Sequence, residues 1–225
     1  HALEAGADEV MLKPINHDKL IQELSTPRGL SIKSKSSGDE KKNIRKAKIS
    51  DKKNFVRFWG VRGSIPTPGP ETAHYGGNTS CVEMRVNGKL VILDAGSGLR
   101  ALGVELMKEF GKKALDITLL LTHTHWDHIQ GFPFFAAAYN PKNKVRVLGY
   151  EGSSKCIESC FSVQMENPFF PIRLTQMPGN LNFELQEEMQ FELGDVKVFA
   201  HFTNHPGVTV AYRIESGKSK VIYMP

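Results

Sequence analysis

The sequence predicts a mixed α/β domain built in layers, and three observations carry that prediction. Short apolar runs of strand length recur from Asn54 to the end of the chain, helical periodicity is confined to a few segments, and no internal repeat is present. Composition agrees: 40% of the 225 residues are hydrophobic and 24% charged, enough for a core and too much for disorder throughout. The strongest apolar run, Ile117 to Leu121, is strand-sized and far short of the roughly 18 residues a membrane span needs. No basic-then-apolar signal segment opens the chain, and the three cysteines (Cys81, Cys156, Cys160) suggest no disulfide framework. A soluble protein in a reducing cytoplasm is the expectation. The chain opens on His1 rather than Met and closes on Pro225 just after the apolar Val221 to Met224, which reads as a fragment cut at both ends.

In chain order, residues 1–26 read as a helix end (Ala2 to Asp8), a strand (Glu9 to Leu12) and a helix (Asn16 to Leu24). Gly6 is placed as a helix stop, and Asn16 as the cap of the amphipathic run Leu20, Ile21, Leu24. The Ala-Gly-Ala-Asp stretch before the strand and Lys13-Pro14 after it resemble the C-terminal end of a response-regulator receiver domain. That resemblance implies a phosphate-contacting role for Lys13, a cis bond to Pro14 and a sensor histidine kinase as partner of the complete receiver; the alternative is a helical hairpin with a chance Lys-Pro. The formal charge of +5 divides as −3 over residues 1–26, +8 over residues 27–57 and 0 over residues 58–225. Residues 27–53, rich in Ser, Lys and Gly, bury too little to offset their ordering entropy and read as a basic flexible linker; loose phosphate contact with RNA is the other use of such a tether.

Residues 54–225 carry the layered domain. Period-2 or short apolar runs predict strands at Phe55 to Trp59, Cys81 to Val86, Leu90 to Leu93, Ile117 to Leu121, Val145 to Leu148, Phe183 to Gln186, Val196 to Phe202, Val208 to Ile214 and Val221 to Tyr223. Asn87-Gly88 between the second and third of these is a tight-hairpin signal, because both residues take positive φ. Leu99, Leu102, Leu106 and Phe110, at spacings of three and four, predict a helix over Gly98 to Phe110. A short helix is expected near Phe132 to Tyr139, and another over Ser153 to Phe161.

The stretch Thr122-His123-Thr124-His125-Trp126-Asp127-His128 begins where the buried strand Ile117 to Leu121 ends. Chance would give His-x-His-x-Asp-His in roughly one such chain in a few thousand, so a shared chemical reason is the better account. Residues i and i+2 of an extended strand end point to one side, so His123 and His125 can face one cation. Asp127 and His128 follow in the turn and can reach a second. Imidazole and carboxylate together suit zinc, with manganese or iron as other fits. Two ions about 3.5 to 4 Å apart would lower the pKa of bound water and clamp a phosphoryl or acyl group.

The segment resembles the first metal-binding motif of the metallo-β-lactamase superfamily, whose fold is an αβ/βα four-layer sandwich. The resemblance implies His123 and His125 as ligands of metal one, Asp127 and His128 as ligands of metal two, and two zinc ions in the full-length protein. His205, in Asn204-His205-Pro206-Gly207, matches the next family ligand and would complete metal one; His201 is the competing candidate. Asp94, in Ile92-Leu93-Asp94-Ala95-Gly96, matches the superfamily's early Asp-x-Gly and would support the metal loop through hydrogen bonds; a plain turn-forming aspartate is the alternative. Gly60-Val61-Arg62-Gly63-Ser64-Ile65-Pro66 and Asn78-Thr79-Ser80 resemble the branch holding ribonuclease Z and cyclic-nucleotide phosphodiesterases. That branch supplies a bridging aspartate and a further histidine, both expected beyond Pro225, so the sandwich is read as C-terminally incomplete and this chain as weakly active.

The function these residues imply is a metal-dependent hydrolase, a phosphodiesterase of small molecules or RNA, serving as the output domain of a response regulator, with Asp127 orienting the nucleophile or taking its proton. The alternatives are a carboxylic-ester, thioester or lactone hydrolase and a non-catalytic signalling module that keeps the metals. Cys156 and Cys160, spaced i and i+4, read as free buried thiols, with metal binding as the alternative; His74, Arg62 and Arg100 read as surface, the alternatives being a reach into the pocket for His74 and contact with an anionic substrate for the arginines, and Phe134, Phe135, Phe169 and Phe170 read as core or cleft wall.

Overall fold

The computed structural model describes residues 49, 54–150 and 157–225. The expected receiver end with Lys13 and Pro14, nearly all of the linker, His1, His17 and Cys156 lie outside them. Among the described residues, ten strands form two sheets. The first sheet runs β1 (Phe55–Gly60), β2 (Cys81–Val86), β3 (Lys89–Leu93), β4 (Asp116–Leu120), β5 (Lys144–Gly149) and β6 (Asn180–Leu185) in order. β1, β2 and β3 pair antiparallel, and β3 through β6 pair parallel. The second sheet has the order β10 (Ser219–Tyr223), β9 (Val210–Ser216), β8 (Val196–Phe202) and β7 (Gln190–Leu193), all antiparallel.

Side-chain alternation stacks these sheets into layers. On β3 and β4, Leu90, Ile92, Ile117 and Leu119 face the helical side, where they join Leu99, Leu102 and Leu106 of α1 (Gly98–Phe110) in one core. Val91, Leu93 and Leu120 point the other way, into a second core with Val196, Val198, Val210, Tyr212 and Ile214 of the second sheet. The described residues thus give a helical layer and two sheet layers; the outer helical layer that the resemblance implies is not among them. No described helix is long and apolar enough to cross a membrane.

Several expectations change. The helix near 132–139 is two 3-10 turns, Phe132–Phe134 and Ala136–Tyr139, because Phe135 is extended between them (ψ 94). The helix expected from Ser153 is described as α2, Ile157–Val163, with residues 151–156 outside the described set. β9 starts at Val210 rather than Val208, after a loop with Gly207 at φ 82 in which Thr203 donates to the Thr209 carbonyl. β7 was not expected; it is four residues long and reaches β8 through Gly194-Asp195, Gly194 having φ 68. The hairpin signal holds: Asn87 (φ 46) and Gly88 (φ 72) join Val86 to Lys89.

Parallel strands send their carboxyl ends to one edge of the first sheet, and the loops after β3 and β4 meet there. Asp94 follows β3, Thr122 follows β4, and the Thr122 carbonyl accepts from the Val210 amide at 3.1 Å, which ties the second sheet to the same edge.

Candidate metal centre

Asp94 anchors the site from a left-handed backbone (φ 61), a conformation aspartate tolerates better than most residues. It is fully buried. Its Oδ1 accepts from the Thr122 amide (2.8 Å); the Thr122 hydroxyl lies 3.0 and 2.9 Å from the two oxygens; and Oδ2 also accepts from His128 Nδ1 (2.8 Å) and the Tyr223 hydroxyl (2.9 Å). A carboxylate only accepts, so the Thr122 hydroxyl spends its proton on Asp94 and is left to accept from His123 Nδ1 at 3.0 Å. One aspartate therefore fixes two tautomers: when neutral, His123, through Thr122, and His128, directly, both carry the proton on Nδ1 and leave Nε2 with its lone pair.

Those lone pairs face the centre. His123 Nε2 lies 3.0 Å from His125 Nδ1, and His205 Nε2 lies 3.3 Å from the same atom. One donor nitrogen from each of the three lies within 4.8 Å of the others. Zinc with nitrogen ligands at about 2.0 to 2.1 Å in a tetrahedron needs ligand-to-ligand edges of about 3.3 Å, which the two distances from His125 Nδ1 match. The structure thus brings together His123, His125 and His205, from two parts of the chain 80 residues apart. Beside them, the His128 ring stands 4.2 Å from that of His123, centroid to centroid, and His128 Nε2 lies 3.5 Å from Asp127 Oδ2, on the 3-10 turn Trp126–His128.

Electrostatics separate the two buried rings. Burial, aided by His128, pushes His123 down to about 4, so its imidazole is neutral at physiological pH. Burial works against protonation of His128 as well, but the hydrogen bond to and charge of Asp94 outweigh it and raise its pKa. Burial and the Asp94 charge drive the Tyr223 hydroxyl far up, keeping it a donor.

The loop carrying His123 to His128 packs where a side chain would not fit. A Cβ on Gly131 would lie 1.9 Å from the Gly96 carbonyl oxygen, and one on Gly96 would lie 2.4 Å from that of Asp127. The imidazoles line a cavity of about 470 Å³ with Phe58, Val61, Ser64 and Tyr223. Another recess of about 520 Å³ opens at the opposite strand ends among Lys89, Lys144, Arg146 and Glu192. The smaller cavity is the candidate site, because the convergent imidazoles are there, His123 and His128 each with its other nitrogen engaged.

Of the other candidates, His201 is exposed and its Nδ1 donates to the Phe202 carbonyl, and His74 stacks edge-on against Tyr75; neither joins the cluster. Arg62 donates to the Ile65 carbonyl, and Arg100 is exposed. Cys160 packs half-buried against the helical-side core. Phe135 is buried, Phe134 lies edge-on to the half-buried Phe170, and Phe169 is 81% exposed. Sequence reasoning missed the Thr122 hydroxyl, although it lies within the motif, along with the Tyr223 hydroxyl and the Ser64 amide that donates to Asp127 Oδ2 at 2.7 Å.

Comparison with known proteins bears on the fold and the family. The chain is 28% identical over 144 residues to ribonuclease Z of Pyrococcus abyssi, covering 61% of this chain and 43% of that protein. It is 26% identical over 170 residues to ribonuclease Z of Methanopyrus kandleri, covering 75% and 52%. The chain thus spans about half the length of these curated relatives. Among solved structures, the metallo-beta-lactamase fold protein YhfI from Bacillus subtilis superposes with a TM-score of 0.52 at 19% identity, over 74% of this chain and 59% of that one. The short form of human tRNase Z gives 0.50 at 20%, over 76% and 68%. The description "Metallo-beta-lactamase superfamily" matches residues 74–223, two thirds of the sequence, and the chain belongs to that superfamily.

Proposed function

We propose that the protein is a metal-dependent hydrolase of phosphodiester bonds. The observation that carries this reading is the convergence of His123, His125 and His205 on one point, with Asp127 and His128 beside it. In this reading the three histidines hold one ion, and Asp127 and His128 reach a second. Bound zinc would supply a water of lowered pKa and neutralise charge developing on the phosphoryl oxygens. The chain's own residues do the rest. Asp94 holds His123 and His128 in the ligating tautomer, and Asp127 orients the attacking water or accepts its proton at a carboxylate oxygen. Ribonuclease Z relatives support the phosphodiester class, small-molecule or RNA. A reducing cytoplasm fits the sequence, and the receiver-like residues 1–26 support a role as a response-regulator output domain under a sensor histidine kinase.

The test uses protein stripped by chelator and reloaded with zinc, assayed on bis(p-nitrophenyl) phosphate, p-nitrophenyl acetate and a thioester. Zinc-dependent hydrolysis of the diester above both acyl compounds is expected. Preference for the acyl compounds would replace the reading with an acyl hydrolase, and zinc binding without any turnover would leave a metal-bearing signalling module.

A further inference from the structure

Ser64 is an exposed residue with a side chain, yet it holds φ 70, the left-handed region that non-glycine residues avoid. Such an outlier persists where its surroundings over-determine it. Here they do. The Val61 and Arg62 amides both donate to the Asn78 carbonyl (3.1 and 3.0 Å), Arg62 bridges to Thr79, and its Nε donates to the Ile65 carbonyl at 3.0 Å. What the strained conformation delivers is the Ser64 amide, aimed at Asp127 Oδ2 at 2.7 Å. Among the described residues this is the only hydrogen bond made to that carboxylate, whose other neighbour is His128 Nε2 at 3.5 Å. Among the described residues no other hydrogen bond holds the Asp127 side chain beside His128.

We propose that Ser64 is a positioning residue whose left-handed backbone amide, not its hydroxyl, holds the Asp127 carboxylate in register with His128, so that the two act as one ligand pair. The inference rests on the reading of Asp127 as a metal ligand. It makes the side chain at position 64 dispensable and the backbone geometry indispensable. Glycine favours positive φ and keeps the amide; valine keeps the amide but resists the conformation; proline fixes φ near −65° and has no N–H.

The experiment titrates cobalt(II) into the metal-free protein by visible absorption, measures kcat and KM on bis(p-nitrophenyl) phosphate, and records a melting curve for each variant. Ser64→Gly is expected to match the parent within about twofold in second-ion affinity and kcat. Ser64→Val and Ser64→Pro are expected to lose about 10- to 100-fold in second-ion affinity, with kcat falling, KM nearly constant and first-ion affinity kept. If Ser64→Pro does not melt cooperatively, Ser64→Val decides. Parent-like ion binding in Ser64→Val, or a Ser64→Gly as impaired as Ser64→Val, overturns the proposal; the latter result would assign the role to the hydroxyl. Asp127→Ala in the same titration separates the two levels. If it leaves second-ion binding intact, the reading of Asp127 as a ligand itself fails; if it abolishes that binding while Ser64→Val is unaffected, only the positioning role fails.

Discussion

Replacing Asp94 by asparagine keeps the shape of the side chain and removes its charge and one acceptor. With the amide nitrogen in the place of Oδ2, the donors His128 Nδ1 and the Tyr223 hydroxyl both face another donor. A buried donor without a partner costs about 1 to 3 kcal/mol, so two would cost about 2 to 6 kcal/mol. Two effects reduce that sum. A fully buried charge disappears, which recovers desolvation energy, and the Tyr223 hydroxyl can turn to accept from the new amide. His128 has a third escape: it can move its proton to Nε2 and accept at Nδ1. That escape spares stability and spoils ligation, because Nε2 then has no lone pair for a metal. Loss of stability and loss of affinity are therefore alternatives, and Asp94→Asn must show at least one. The expected outcome is a metal-free protein less stable by about 1 to 3 kcal/mol in urea, an ion affinity lower by about 10- to 100-fold, or both. The assays are urea unfolding of the metal-free protein and cobalt(II) titration. An Asp94→Asn protein equal to the parent in both would refute the tautomer argument, since no arrangement of one oxygen and one amide group serves the donors now found around Asp94.

Further expectations come from the same geometry. His205→Ala should weaken binding of the first ion by more than about 100-fold, beyond the range for residues that only support a ligand, as read by zinc competition with a chromophoric chelator. Arg85→Ala leaves the fully buried Glu83 with Trp59 and a distant Arg57, in place of the 2.6 Å ion pair that also links to Glu109. It should cost about 3 kcal/mol in urea unfolding while leaving activity per folded molecule unchanged. Gly131→Ala forces a methyl against the Gly96 carbonyl and should cost about 1 to 3 kcal/mol or more and weaken ion binding together, both checked on one preparation. For pH, the unfolded chain protonates position 123 near 6.5 while the folded protein resists until about 4, so metal-free stability should fall as pH drops through that window. His128 has the opposite sign: its raised pKa contributes stability that is complete below about 6.5 and lost as pH rises through the folded value. His123→Gln should flatten the acid slope of melting temperature against pH and leave the alkaline side in place.

What could be read from sequence was what is local. The α1 limits follow from an unbroken three-four apolar spacing and Gly111 at its end, and the Asn87-Gly88 turn from two residues suited to positive φ. The His123 to His128 segment was legible because most of the candidate site lies in six positions. β7 escaped because Phe191 and Leu193 are its only apolar residues, although Gly194-Asp195 marks the turn after it. The alternation Val82, Met84, Val86 against Glu83 and Arg85 looks like a strand with a wet face. The structure buries both charged residues, because Arg85 pairs with Glu83 and Glu109 while its guanidinium lies against Phe55 and Phe110. A sequence shows which residues carry charge, not which of them find partners. The Ser64 amide is less legible still, since every residue but proline has one and only the backbone conformation gives it an address.

The site also explains why two sheets are needed rather than one. The first sheet alone can present Asp94, His123, His125, Asp127 and His128, because they follow β3 and β4 at one edge. It cannot supply His205 or the Tyr223 hydroxyl, which come from the second sheet. The interface between the sheets is therefore part of the site's electrostatics. Tyr212, buried in the second sheet, donates to the Leu121 carbonyl at 2.8 Å, the Val210 amide donates to the Thr122 carbonyl at 3.1 Å, and Tyr223 reaches Asp94. These three bonds tie the second sheet to the histidine-bearing loop, and each ends on or beside a residue that orients an imidazole. A change that slides the sheets by even an ångström would stretch all three and misplace His205 against His125, whose donor atoms are 3.3 Å apart. Substitutions in the apolar layer between the sheets, remote from any ligand, should therefore weaken ion binding more than equally destabilising substitutions under α1. The comparison is Val198→Ala against Leu102→Ala, both from fully buried positions. Equal effects on cobalt(II) affinity at matched loss of stability would mean that the sheets are coupled to the site only through global unfolding.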